Sequence, residues 1–137
     1  MRIAIGMISG LGFFALGMVA NAENAMPDRT DGVAFFADHC VACHGSEGRG
    51  DGPDASGLAD APTDLATLSR TNGGTFPATR ALAYIYGDAR ADHLARVMPE
   101  FGDEMALDLV PVELDGILTP TPRVLAGLLA YLESIQE

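Results

Sequence analysis

The sequence has no lysine, no tryptophan and only two cysteines, Cys40 and Cys43. Its basic residues are eight arginines against nineteen acids, a formal charge of −11. So acidic a chain cannot bind nucleic acid through counterion release, which needs many cationic side chains. Two cysteines exclude any disulfide framework wider than a single bridge. No segment shows convincing strand alternation, no internal repeat occurs, and no long low-complexity tract interrupts the chain. The expectation is one all-α domain of modest size.

What is present begins with an apolar run. Arg2 precedes Ile3 to Ala20, and the run ends at Ala20-Asn21-Ala22, a small-x-small pattern, before polar sequence starts at Glu23. Residues 1–22 read as a secretory signal cleaved after Ala22, with a membrane anchor as the alternative because the run approaches spanning length. Cleavage places the protein in the periplasm, free of the membrane. It also removes Arg2 and takes the formal charge to −12. Such a charge favours encounters with a basic partner surface, although it also serves solubility. Residues 23–30 read as a flexible leader and 31–137 as the domain.

Within the domain a first helix is expected over Gly32 to Cys43, capped by Thr30 or Asp31, with Val33, Phe36, Ala37 and Cys40 on one face. A Gly-rich loop follows to about Pro62, then a short helix over Asp64 to Ser69 and a turn at Thr71 to Gly74. Ala78, Ala81, Leu82 and Ile85 mark another helix, with Pro77 in its first turn and Gly87 as its cap. Residues 88–118 read mostly as loop. Thr121 and Pro122 should start a last helix with Leu125, Leu128, Leu129 and Leu132 as its apolar stripe. Three or four short helices and long loops make a thin core, which a large buried apolar group would complete.

Cys40-Val41-Ala42-Cys43-His44 supplies the chemistry. A structural zinc site needs four ligands, and the second half of such a site is missing. A thioredoxin-like pair expects a βαβ setting. A plain disulfide leaves the adjacent histidine without a role. The spacing Cys-x-x-Cys-His is the signature of c-type haem attachment: each thiol adds to one vinyl group and the histidine reaches the iron. For the second axial position the chain offers His93, Met98 and Met105. Pro99 biases Met98 toward an extended conformation, in which a thioether is presented with little freedom left to lose. Met105 suits packing, and gap filling is the plain alternative for Met98.

These residues make the chain resemble the class I cytochromes c, over about Gly32 to Ile135. "GVAFFADHCVACHG" is similar to the family's N-terminal helix and haem motif, and "LLAYLESI" to its C-terminal helix. In the family these helices cross closely, and Gly32 would allow that contact. The resemblance implies the cytochrome c fold, wrapped around one covalently bound haem c held by Cys40 and Cys43. His44 is the implied proximal iron ligand. "MPEFG" resembles the family's distal loop and implies Met98 as the other iron ligand. "GRGDGP" resembles the loop whose proline carbonyl accepts a hydrogen bond from the proximal imidazole. Pro53 is the expected acceptor, and Pro62 the alternative. Arg49, Arg70 and Asn72 are candidate partners for the propionates. The absence of lysine departs from the family's best-known members, so their docking rules do not transfer.

The implied function is one-electron transfer by Fe(III)/Fe(II) cycling in a monomeric, non-enzymatic carrier that meets redox partner proteins. The alternatives are a cytochrome subunit of a larger oxidoreductase complex, or a haem enzyme or ligand sensor with a displaceable distal ligand.

Overall fold

The computed structural model describes residues 29–87, 97–105 and 108–137. The expected signal segment, most of the expected leader and His93 lie outside the described residues.

The chain opens with α1 (Arg29–His39), breaks at Cys40, and turns once more as α2 (Val41–His44). Its buried face is Gly32, Phe36 and Cys40, while Val33 and Ala37 point to solvent. The apolar stripe is thus rotated from the expected Val33–Ala37 line, because Gly32 sets where the partner helix touches. That partner is the C-terminal α5 (Arg123–Ser134). A Cβ at position 32 would overlap the Gly127 carbonyl oxygen and the Leu128 backbone, so the two helices meet backbone to backbone. Phe36 packs on Tyr131 one turn away, ring centroids 5.0 Å apart. The expected stripe of α5 holds: Leu125, Leu128, Leu129 and Leu132 are all buried.

Between these helices the loop 45–64 leads to a 3-10 turn (Leu65–Thr67) and α3 (Leu68–Thr71), started by the Asp64 carboxylate accepting from the Ala66 amide at 3.0 Å. The helix α4 (Ala78–Tyr86) follows, with Pro77 before it and Gly87 closing it in the left-handed region. Ile85 of α4 joins Phe101 and Met105 in the core around Phe36 and Leu128. Met105 therefore packs, as its amphipathic setting suggested.

The expected frame of helices and loops holds, and what needs correcting is the reading that no segment is a strand. Strands β1 (Leu109–Leu114) and β2 (Ile117–Pro122) form an antiparallel hairpin. Asp115 and Gly116 connect them with φ of 51° and 81°, the two positive values that a type I′ turn requires. The two-residue turn makes Leu114↔Ile117, Val112↔Thr119 and Val110↔Thr121 the hydrogen-bonded pairs. The Arg123 amide extends that ladder to the Asp108 carbonyl at 2.8 Å. Pro111, Pro120 and Pro122 fall between these pairs, where the missing N–H would have faced outward. Thr121 consequently lies buried in β2 rather than capping α5, and Pro122 takes the cap position. The helices and loops remain the frame, and the hairpin is an addition braced on α4 by Thr79 Oγ1 donating to Asp115 Oδ2 at 2.6 Å.

Candidate haem site

The break at Cys40 is what builds the site. The α1 ladder delivers the Cys40 amide to the Phe36 carbonyl at 2.9 Å, and α2 then carries Cys43 and His44 around one further turn. Both thiols are free. Cys40 is buried, and that burial, with Cys43 adding to it, pushes its thiol up to about 11.

The His44 ring is buried, and Nδ1 sits 3.0 Å from the Thr63 carbonyl oxygen. A carbonyl can only accept, so Nδ1 carries the proton and Nε2 keeps its lone pair for a metal. Burial also lowers the proton affinity of the ring, against the opposing effect of the Thr63 bond. A neutral imidazole with a fixed tautomer is the form that ligates iron.

The acceptor corrects the expected one. Pro53 is exposed and stands on the far limb of the loop. The neighbouring Gly52 and Asp54 amides bond the Cys43 and Ala42 carbonyls at 3.0 and 2.9 Å, which holds residues 52–54 against the outside of α2. The loop then returns past Gly50, whose position is so close to the Pro62 carbonyl oxygen that a Cβ would overlap it. Pro62 itself lies one residue short; Thr63 reaches the ring. No local motif marks Thr63, and only Gly50 and Gly52 in "GRGDG" signal that backbones approach there.

His44, Cys40, Thr63, Tyr84 and Met98 border two adjoining cavities of about 400 and 220 Å³. The larger is walled by Phe36, Leu65, Leu68, Ala81, Ile85, Leu128 and Leu132, so it is apolar and framed by α1, α3, α4 and α5. The smaller adds Cys43, His39, Val97, Pro99 and Phe101. Met98 is half-buried and reaches both spaces, as His44 does. His39 stacks on Phe35 at 4.3 Å, which keeps it beside the attachment helix. The expected propionate partners stand elsewhere: Arg49 bonds Glu137 and Glu47, and Asn72 donates to the Thr75 carbonyl. Arg80 is the described basic residue that lines the larger cavity.

These residues fit a haem. The space has the size range of cofactor sites, its walls are apolar, and two free thiols, a lone-pair-bearing imidazole and a thioether border it. Among the described residues no group of three or more His, Cys, Asp or Glu side chains could hold a bare metal ion. The helix-and-loop frame and this donor set define a c-type haem protein. The family model for cytochrome c matches residues 30–110. The chain belongs to the cytochrome c family, whose members carry covalently bound haem c and work in haem-based electron transfer. No curated protein and no solved structure matches it at a significant level.

Proposed function

We propose that the chain is a periplasmic one-electron carrier with one haem c, ligated by His44 and Met98 and tethered through Cys40 and Cys43. The observation that carries this reading is the pairing of His44 and Met98 on one apolar space, with His44 Nδ1 committed to Thr63. The single Cys-x-x-Cys-His motif supports one haem.

The haem, when bound, supplies the Fe(III)/Fe(II) couple. The chain's own residues set its terms. Cys40 and Cys43 hold the group irreversibly at the end of α1 and α2. Thr63 orients the His44 ring and raises its basicity as a ligand. Imidazole and thioether together favour a relatively high potential. Phe36, Leu65, Leu68, Leu128 and Leu132 exclude water, which limits reorganisation as the charge changes. His44 and Met98 would both hold the iron, which would leave no place for a substrate, and this supports a carrier over an enzyme. The strongly acidic surface supports a redox partner with a basic docking face and a carrier that stays monomeric.

Met98→Ala tests the ligand set. The oxidised wild type should show a methionine-to-iron charge-transfer band, and the variant should lose it and bind carbon monoxide when reduced. A band that survives the substitution, or ready carbon monoxide binding by the reduced wild type, would sink the assignment.

A further inference from the structure

The geometry points to Gln136, next to the C-terminus, as a positioning residue for the proximal side of the haem site, an inference that rests on the ligand reading above. Its side-chain amide makes three hydrogen bonds. Oε1 accepts from the Ser69 amide at 2.8 Å, and Nε2 donates to the Leu65 and Leu132 carbonyls, each at 2.7 Å. One donor and two acceptors face it, a set that only one orientation of the amide can satisfy. Leu132 belongs to the last turn of α5, where its carbonyl lacks a helical partner. Leu65 and Ser69 bracket the 3-10 turn and the start of α3.

That bracketed segment begins two residues after Thr63, the acceptor of His44 Nδ1. On its other side the Leu65 amide donates to the Gly48 carbonyl at 2.6 Å. The segment carrying Thr63 is thus held from two directions: by the loop after the haem motif and by the Gln136 amide on α5. The Glu137 amide adds a bond to the Ala66 carbonyl at 2.9 Å. Gln136 therefore ties the position of the Thr63 carbonyl to the rigid α1–α5 pair. A firm Thr63 bond makes His44 a more basic ligand and favours Fe(III); a loose one raises the potential.

Gln136→Met keeps length and neutrality and removes all three bonds. In the haem-loaded variant the midpoint potential should rise. The His44 Nδ1 proton should exchange roughly fivefold faster, the factor for one lost hydrogen bond of about 1 kcal/mol. Ser134→Ala is the control: it removes only a bond from Ser134 Oγ to the Tyr131 carbonyl, and should move neither readout. A variant with a lower melting temperature but unchanged potential and exchange overturns the inference. If Q136M does not take up haem, the wild-type holoprotein still decides. Its Ser69 amide and His44 Nδ1 proton should exchange through one opening with the same urea dependence, and unequal dependences overturn the proposal. Wild-type spectra lacking hyperfine-shifted His44 signals would instead defeat the ligand reading itself.

Discussion

Gly32 on α1 lies directly against Gly127 on α5, so the two helices that frame the haem site touch without a side chain between them. The contact sets the rotation of α1, and with it the direction in which Phe36 and Cys40 point.

Gly32→Ala should therefore be costly although alanine is the better helix former. The added methyl meets backbone that cannot swing aside. The expected loss is about 1–3 kcal/mol, the usual range for overpacking. At roughly 4–8 °C per kcal/mol for a domain of this size, thermal melting followed at the haem Soret band would show it. An unchanged melting temperature would mean that the helices do not cross here.

Gly50→Ala probes the path of the loop. Gly50 has φ of 78° and leaves no room for a Cβ beside the Pro62 carbonyl. The variant should displace Thr63 and raise the midpoint potential while lowering stability. Gly57→Ala is the comparison, because its Cβ meets nothing within 4 Å. That change should leave the potential alone and stabilise slightly, by about 0.4–1 kcal/mol if its backbone suits alanine. Equal effects from both substitutions would refute the role given to Gly50.

Gly116→Ala separates backbone strain from packing. Position 116 opens onto free space but has φ of 81°, so only the left-handed conformation resists a side chain. A cost of about 1–2 kcal/mol is expected, with no change in the haem spectrum. A spectral shift would show that the hairpin communicates with the site.

Partner charge can be read from ionic strength. Electron exchange with a basic redox protein should slow as salt is added, since screening shortens the reach of the acidic surface. A rate that ignores salt would speak against a basic docking face.

The haem motif was readable because its chemistry is local: five consecutive residues carry the two thiols and the imidazole. The helix stripes of α4 and α5 were readable for the same reason, since periodicity is a property of one segment. Thr63 was not readable, because its carbonyl reaches His44 only through close backbone approaches at Gly50 and Gly52, which join distant positions. The hairpin was hidden by chemistry rather than distance. Pro111, Pro120 and Pro122 look like strand breakers in a linear reading, yet each sits where the ladder asks nothing of its nitrogen. Asp115-Gly116 was the available signal, a dipeptide that favours tight antiparallel turns.

Those prolines matter before the protein is finished. Until haem fills the apolar space, a newly made chain has a thin core and exposes surface on which other chains could assemble. A two-stranded ribbon would ordinarily offer its outer amides as a template for further strands. Here no two successive outward positions of β2 beyond Leu118 can donate, and the middle one of β1 cannot either. The ribbon is thus a poor seed for cross-chain strand growth during the interval in which the chain waits for its cofactor.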